Sequence, residues 1–230
     1  MNSAILMFSG GQDSATCLFW ALEKFDIVET VGFDYNQRHN IELEVRNDFI
    51  QFLKEEFPNH YKKIGKDHKI NATNLSEIGD TAMTTDMEIT FSDNGLPSTF
   101  VPARNLYFFT LTSAIAYRRN ISKLIGGMCE TDYSGYPDCR RTTMDALQSA
   151  LSLGMDQPME IVTPLMWVDK AQTWKMAHEI GGEKLIEGIK KHTHTCYIGD
   201  REHFHEWGYG CGECPACNLR SNGYKQWKQE

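Results

Sequence analysis

The sequence lacks any hydrophobic stretch near the roughly 20 residues that a membrane-spanning helix needs, and it opens without the basic segment of a signal peptide. We therefore expect a cytoplasmic protein with no membrane partner. An excess of positive charge is also absent, because 23 Lys and Arg stand against 31 Asp and Glu. Nucleic-acid phosphates are neutralised by clustered Lys and Arg, so we expect no direct nucleic-acid partner. A small anionic ligand needs only a local pocket of donors and stays compatible with this charge.

The seven cysteines do not fit a disulfide framework, because their number is odd and their placement is uneven. Cys17, Cys129 and Cys139 are scattered, whereas the other four fall between Cys196 and Cys217. Internal repeats, low-complexity tracts and obvious linkers are missing too. At 230 residues, the chain is long enough for one sizeable core with a small appendage.

Hydrophobic patterns along the chain alternate between strand-like and helix-like segments. Strands are predicted at residues 3–8, 27–35, 121–127 and near 159–163, and helices at 14–25, 41–57, 104–120, 141–153 and 169–180. The polar stretch 58–100 predicts loops with short elements. This alternation predicts an α/β, Rossmann-like fold, with a parallel sheet covered by helices on both faces. Ligands of such folds bind at the carboxyl ends of the strands, which points to the loops 9–14, 34–39 and 127–140.

The segment SGGQDS, residues 9–14, lies between the first predicted strand and the first predicted helix. Its glycines allow positive φ and close approach of a ligand, and the helix that follows offers unpaired N–H groups and the positive end of its dipole. Ser9 and Ser14 add hydroxyl donors, and Asp13 is placed to cap the helix or to hold a magnesium ion. The segment lacks the lysine of the Walker phosphate-binding loop, and it does not match the dinucleotide-binding pattern G-x-G-x-x-G. A tight turn with a good helix cap is the alternative interpretation.

Cys211, Cys214 and Cys217 follow the spacing C-x-x-C-x-x-C, and Cys196 lies upstream. Four thiolates in a tetrahedron fit a closed, structural Zn²⁺ site, with Zn–S distances of about 2.3 Å. An iron–sulfur cluster, a redox dithiol and a site in which a nearby histidine replaces one sulfur are the alternatives. We predict a four-cysteine zinc site that fastens the C-terminal segment to the domain. A nucleic-acid-binding zinc ribbon would fit the acidic composition less well.

The S-G-G-x-D-S loop resembles the pyrophosphate-binding loop of the N-type ATP pyrophosphatases, which activate a carboxylate, amide or carbonyl oxygen with ATP. Further motifs narrow this resemblance: FDYNQRH (33–39), STFVPARN (98–105), MCETDYSGYPDCR (128–140), TPLMWVDKAQTW (163–174) and CGECPACNLRSNG (211–223). From Phe8 to about Gly223, the chain resembles the ExsB-like family of 7-cyano-7-deazaguanine synthases of the queuosine pathway. Ala103 departs from the pattern, where glycine is frequent, and so does Arg141, where an acidic residue is common.

This resemblance implies a fold of the adenine nucleotide alpha hydrolase-like type, with an ATP-pyrophosphatase-loop domain at 1–190 and a zinc-binding segment at 191–230 packed on it. It implies a ligase that converts 7-carboxy-7-deazaguanine and ammonia to the 7-cyano compound, with ATP, Mg²⁺ and Zn²⁺. It also implies free ammonia as the nitrogen source and a homodimer. The rival hypotheses are a related ligase for another carboxylate, and a zinc-bearing tRNA- or nucleotide-binding module without catalysis.

Candidate site residues follow from the matched motifs. We expect catalysis from Arg104 and Lys170, because guanidinium and ammonium groups bind phosphates and developing negative charge, and from Asp13, whose carboxylate is placed to hold a magnesium ion. The residues expected to bind ATP are Phe8, Ser9, Gly10, Gly11, Gln12, Asp13, Ser14, Ala15, Thr16, Cys17 and Leu18. The residues expected to contact the deazaguanine are of three kinds: acidic groups that accept hydrogen bonds from its N–H edge, aromatic rings that stack on it, and one further cation. They are Arg38, Phe100, Glu130, Asp132, Tyr133, Tyr136 and Asp138. The expected metal ligands are Cys196, Cys211, Cys214 and Cys217.

Overall fold

The computed structural model describes residues 2–35, 41–77, 79, 81, 90, 97–131 and 136–230. Within these residues, five parallel strands form one sheet in the order β3-β2-β1-β4-β5. The strands are β1 (Ser3–Met7), β2 (Ile27–Asp34), β3 (Ile64–Asn71), β4 (Lys123–Ile125) and β5 (Glu160–Val162). A short antiparallel hairpin consists of β6 (Phe204–His205) and β7 (Gly208–Tyr209).

Seven α-helices connect or follow these strands in the described residues. They are α1 (Gln12–Lys24), α2 (Ile41–Glu56), α3 (Pro58–Tyr61), α4 (Arg104–Arg118), α5 (Arg141–Met155), α6 (Lys170–His192) and α7 (Pro215–Gln229). No helix in the described part of the chain combines the length and the apolar character needed to cross a bilayer.

The two faces of the sheet carry separate hydrophobic cores because successive side chains of a strand point in opposite directions. Ala4 and Leu6 of β1 belong to the core formed with α1, α2, α6 and α7. Ile5 and Met7 belong to the core formed with α4 and α5. Helices therefore cover both faces, which confirms the predicted fold class.

The order of the strands determines where a ligand can bind. The chain leaves β1 for β2 on one side and later enters β4 on the other side of β1. Such a reversal opens a crevice at the carboxyl ends of the strands. The loops that follow β1, β2 and β4 meet at this edge.

The structure differs from the sequence prediction in several places. The eight-residue strand β3 lies in a stretch predicted as loops with short elements, and α6 continues beyond residue 180 to His192, past a non-helical Gly182 with φ +64°. Helix α7 begins at Pro215, within the cysteine cluster, where no helix was predicted. Since α6 runs through residue 190, that boundary lies inside a helix, and the division of the chain there stays a prediction.

A buried ion cluster joins three elements far from this edge of the sheet. Glu29 of β2 accepts hydrogen bonds from Arg119, at 3.0 Å from Nε and 2.6 Å from Nη2 to Oε1. The Nε2 atom of His68 in β3 lies 2.7 Å from its Oε2. Burial alone would raise the pKa of Glu29, but the hydrogen bonds from Arg119 and His68 outweigh it, so the pKa is below its ordinary value.

Replacing Glu29 should therefore destabilise the fold in a pH-dependent way. Glu29→Gln is expected to lower the free energy of unfolding at pH 7 by about 1–2 kcal/mol, because the charge-assisted hydrogen bonds are lost. A depressed pKa stabilises the fold above the ordinary pKa near 4.5, and this contribution disappears as pH falls through the lower folded-state value. Urea unfolding at pH 7 and in acid measures both effects.

The matched control is Glu160→Gln, which removes the partner of Lys123 at an exposed ion pair. We expect it to change the free energy of unfolding by less than about 1 kcal/mol. A pH-independent loss in Glu29→Gln would show that packing, not charge, explains its effect.

Candidate nucleotide site and metal centre

The loop between β1 and α1 has a backbone shape that glycine provides. Gly10 has φ +97°, and a Cβ there would overlap the carbonyl of Glu42 in α2. The Gly10 carbonyl accepts a hydrogen bond of 3.1 Å from the backbone N–H of His194. The loop is therefore held between α2 on one side and a segment distant in sequence on the other.

Two serine hydroxyls hold the loop from within. Ser14 Oγ accepts from the Gly10 N–H at 3.2 Å and donates to the Gly11 carbonyl at 3.0 Å. Ser9 Oγ accepts from the Gly11 N–H at 3.2 Å and lies 3.1 Å from Ser14 Oγ. The first N–H groups of α1, which begins at Gln12, have no acceptors within the helix and form a local anion site.

Lys170 reaches this loop from the first position of α6. Its Nζ lies 2.9 Å from both carboxylate oxygens of Asp13. Asp169 caps α6, since its side chain accepts from the Gln172 N–H and the Gln172 side chain accepts from the Asp169 N–H, both at 2.8 Å. This reciprocal cap fixes the start of α6 and with it the position of Lys170.

A cavity of about 320 Å³ lies at the carboxyl ends of the strands. Asp13, Ser14, Arg104, Tyr136, Lys170 and Arg220 are among the residues that line it. The structure thus brings the three predicted catalytic residues, Asp13, Arg104 and Lys170, to one cavity. Their roles there stay predictions.

The residues predicted to bind ATP divide into two groups. Phe8, Ser9, Gly11, Gln12, Asp13 and Ser14 line the cavity, and Gly10 shapes the loop behind them. The remaining four, Ala15, Thr16, Cys17 and Leu18, are fully buried in the first turns of α1. The amide of Gln12 is buried and has no hydrogen-bond partner among the described residues, as expected of a group that meets a ligand.

The charges around the cavity favour an anion. Arg104, Lys170 and Arg220 provide three cations, against the carboxyl groups of Asp13 and Glu42. Burial raises the pKa of Glu42 to about 7, although Arg104 opposes the shift. Three cations against two carboxyl groups leave these charges positive in sum, and the raised pKa of Glu42 adds to this excess.

Two predicted substrate residues stack beside this cavity. The rings of Phe100 and Tyr136 are 5.6 Å apart between centroids, with 27° between their planes. Tyr136 lines the cavity, and its hydroxyl lies 2.6 Å from Thr99 Oγ1. Phe100 packs behind Tyr136 and does not itself line the cavity.

Two predicted substrate acids lie at helix N-termini instead of lining the cavity. Asp138 Oδ2 accepts from the Asn105 N–H at the start of α4, at 2.9 Å. Glu130 Oε2 accepts from the Arg141 N–H at the start of α5, at 2.8 Å. Carboxylates stabilise helix N-termini through these hydrogen bonds and the helix dipole. Both residues have this structural role, and their substrate contacts stay predictions.

Three predicted substrate residues, Arg38, Asp132 and Tyr133, lie outside the described residues. Conversely, many cavity residues were not predicted, among them Tyr35, Glu42, Tyr197 and Arg220. Arg220 follows Cys217 by three residues and precedes Tyr224 by four, which is the spacing of one helix face. An arginine on the buried face of a helix is unusual, and this pattern in the sequence could have identified Arg220 as a site residue.

The four cysteines of the C-terminal segment converge as predicted. The sulfurs of Cys196, Cys211, Cys214 and Cys217 all lie within 4.8 Å of one another, and Sγ of Cys211 and Cys217 are 3.9 Å apart. A tetrahedral Zn²⁺ with Zn–S bonds of about 2.3 Å requires sulfurs about 3.8 Å apart, so the set fits this ion. Backbone N–H groups of Glu213 and Cys214 donate to the Cys211 sulfur at 3.4 and 3.3 Å, which favours a thiolate there.

A side chain at Gly10 should disrupt the nucleotide loop. Gly10→Ala is expected to lower the free energy of unfolding by about 1–3 kcal/mol, because the left-handed backbone and the Glu42 carbonyl oppose a Cβ. Gly154→Ala is the control, since Gly154 lies in α5 and a methyl group there would extend into open space. We expect that control to be neutral or slightly stabilising. Equal unfolding midpoints for the two variants would contradict this interpretation of the loop.

Purified protein is expected to hold one zinc ion per chain. Inductively coupled plasma mass spectrometry should find this ion in Cys139→Ser, whose thiol lies outside the cluster, and find it lost or weakly retained in Cys217→Ser. A buried tetrahedral site with three thiolates and one hydroxyl binds the metal less tightly. Iron in place of zinc would favour an iron–sulfur centre.

Comparisons with known proteins agree with this geometry. The family model described as queuosine biosynthesis protein QueC matches residues 3–228. A protein named 7-cyano-7-deazaguanine synthase from Paraburkholderia phymatum is 58% identical over 224 residues, 97% of this chain and 92% of that protein. One of the same name from Janthinobacterium sp. (strain Marseille) is 57% identical over 223 residues, 97% of this chain and 95% of that protein.

A solved structure shares the fold at much lower identity. A 4-thiouridine synthetase in complex with RNA and bound ATP matches 99% of this chain with a TM-score of 0.55 and 17% identity. This chain spans 51% of that protein. The matched family region includes both the glycine loop and the four cysteines, and this chain belongs to the family of the queuosine biosynthesis protein QueC.

Proposed function

We propose that this protein is an ATP-dependent carbon–nitrogen ligase that converts 7-carboxy-7-deazaguanine and ammonia to 7-cyano-7-deazaguanine in queuosine biosynthesis. The observation that carries this proposal is the cavity in which the glycine loop meets Asp13, Lys170 and Arg104. Family membership indicates the substrate, since relatives of 57–59% identity bear the name 7-cyano-7-deazaguanine synthase.

The reaction needs the same activation twice. A carboxylate is a poor electrophile, so transfer of the adenylyl group of ATP to its oxygen creates a leaving group and releases pyrophosphate. Ammonia then attacks the carbonyl carbon, loses a proton and displaces AMP, which leaves an amide. A second ATP adenylates the amide oxygen, and loss of AMP and the nitrogen-bound protons forms the nitrile. One site that activates an oxygen can serve both steps.

The residues of the loop would bind the phosphates. The N–H groups at the start of α1 and the Ser9 and Ser14 hydroxyls are donors at one end of the cavity. Arg104 approaches from α4, with its guanidinium carbon 5.8 Å from the ring centroid of Tyr35. Together with Lys170, it would stabilise the negative charge that develops on the phosphate and the activated oxygen.

The pairing of Asp13 with Lys170 is the part of the site that must change when ATP binds. The ammonium of Lys170 now lies against both oxygens of Asp13. Turning Lys170 toward a phosphate would free Asp13, a hard oxygen ligand of the kind that Mg²⁺ prefers. Magnesium would then neutralise phosphate charge beside the loop.

Tyr136 is the described residue best placed to contact the flat heterocycle. It lines the cavity and stacks on Phe100, which would hold its ring in one orientation. We retain the expected contacts of Arg38, Glu130, Asp132, Tyr133 and Asp138 as part of this proposal. Free ammonia is the proposed nitrogen source, on the resemblance to the family.

The experiment that tests this function is mass spectrometry of purified protein with MgATP, ammonium and 7-carboxy-7-deazaguanine. We expect conversion of the acid to the nitrile, with AMP and pyrophosphate formed alongside. ATP consumption with another carboxylate, but not with this acid, would favour a related ligase. Failure to bind ATP at all would favour a binding module.

Within this assay, Lys170→Met should lower kcat about 10²- to 10³-fold, as loss of a donor to a developing charge usually does. Lys175→Met is the matched control, because Lys175 lies on the same helix with a half-exposed side chain that pairs with Glu230. We expect the control to keep nearly full activity. Activity of Lys170→Met within about threefold of the unaltered protein would exclude the proposed role.

We also propose a homodimer, on the resemblance to the family alone. Light scattering at working concentration should then give twice the chain mass of 26.3 kDa. A mass equal to one chain would refute this part of the proposal and leave the reaction untouched.

A further inference from the structure

Arg220 is a buried cation whose hydrogen-bond partners, among the described residues, are all uncharged. It is fully buried on α7, and its guanidinium donates to three neutral oxygens. These bonds are 3.0 Å from Nε to the Trp207 carbonyl, 3.0 Å from Nη1 to Thr195 Oγ1 and 3.1 Å from Nη2 to the Ile189 carbonyl. Within the part of the chain that the structure describes, no carboxylate forms an ion pair with it.

Burying a charge destabilises the fold unless other groups compensate for the lost hydration. Burial lowers the pKa of Arg220 to about 10, which still leaves it protonated near neutral pH. Each neutral acceptor satisfies a donor but carries no charge. The Trp174 ring, whose centroid lies 5.5 Å from the guanidinium carbon, offsets part of this cost. An anion near Arg220 when the protein works would offset the rest.

Two anionic centres flank this side chain. Arg220 lies three residues after Cys217, a ligand in the four-cysteine cluster, and it lines the cavity beside the glycine loop. Asp13 of the glycine loop lines the same cavity. Zn²⁺ bound by four thiolates carries a net charge of −2, and the phosphates of ATP add several more negative charges on the other side.

These two anions repel each other across a medium that screens charge poorly. Lys170 is paired with Asp13, and on turning toward a phosphate it would offset charge on the nucleotide side alone. Arg220 lines the cavity and lies one helical turn from Cys217, so it is placed between the two centres. Without it, binding of a polyanion beside the metal–thiolate cluster would be weakened.

Arg220 also orders the backbone that holds the loop. Its Nη1 donates to the Thr195 hydroxyl, and the preceding residue, His194, donates its backbone N–H to the Gly10 carbonyl. One side chain thus links the metal segment to the loop by hydrogen bonds as well as by charge.

We propose that Arg220 is a positioning residue that screens the metal–thiolate cluster from the bound nucleotide and holds residues 194–195 against the glycine loop. This inference rests on the proposed function, because it takes the cavity as the ATP site.

The test compares three variants with the unaltered zinc-loaded protein. Arg220→Gln keeps hydrogen-bonding capacity and loses the charge, Arg220→Lys keeps the charge, and Arg119→Gln is an arginine-to-glutamine control in the distant Glu29 cluster. Isothermal titration calorimetry gives the Kd for ATP, thermal unfolding gives Tm, and release to a chromophoric chelator gives the rate of zinc loss.

We expect Arg220→Gln to raise the Kd for ATP about tenfold or more, and to release zinc several-fold faster, because both anions lose their counter-charge. Arg220→Lys should keep the Kd within about threefold despite a lower Tm. Arg119→Gln should lower Tm and leave the Kd unchanged, since a purely structural loss does not act on ATP.

Three outcomes would overturn the inference: an unchanged Kd in Arg220→Gln, an equal loss in Arg220→Lys, or an equal loss in Arg119→Gln. If Arg220→Gln does not fold, Thr195→Val removes the acceptor of Nη1, and an unchanged Kd there would overturn the positioning role. If the unaltered protein does not bind ATP, the proposed function fails. Faster zinc release from Arg220→Gln would then still support Arg220 as a counter-charge of the metal–thiolate cluster, and unchanged release would overturn that role as well.

Discussion

The hydrogen bond from the His194 N–H to the Gly10 carbonyl is the contact on which the site depends. Gly10 has a left-handed backbone that opens the loop toward the cavity. In this conformation its carbonyl is turned to meet the N–H of His194. Cys196, two residues further on, belongs to the metal cluster. The shape of the nucleotide loop is therefore fixed by a segment whose own shape is fixed by cysteine sulfurs, and the loop, α6 and the metal segment act as one unit.

The sequence predicted the buried strands and helices because their apolar residues repeat with the period of the element. β1 and α1 follow such patterns, and the structure confirms them. β3 was missed because it lies at the edge of the sheet, where Lys66, Asp67 and Lys69 leave no run of apolar residues to recognise. Charged residues on an edge strand also discourage pairing with other chains. The composition that makes β3 hard to predict therefore also protects the edge of the sheet.

The positions of candidate groups could be predicted where the chemistry is local in sequence. A glycine loop and a C-x-x-C-x-x-C cluster place their groups by short-range geometry, so their positions follow from the motif. Glu130 and Asp138 show the limit of this reasoning, because a loop carboxylate can face a ligand or cap a helix, and only the tertiary structure decides. Arg220 shows the same limit, since its importance arises from the two anionic centres that the fold brings to either side of it.

The ion pair between Asp13 and Lys170 joins residues 157 positions apart. Contacts of such separation form late in folding, because a long segment must be ordered before they close. At a synthesis rate of about 5–20 residues per second, the loop is made roughly 8–30 s before its partner lysine. During that interval β1 and α1 can pack with β2, but the cavity still lacks Lys170 and the residues that follow it. A nucleotide therefore cannot assist the early stages of folding, and it stabilises the chain only once α6 and the segment beyond it have docked.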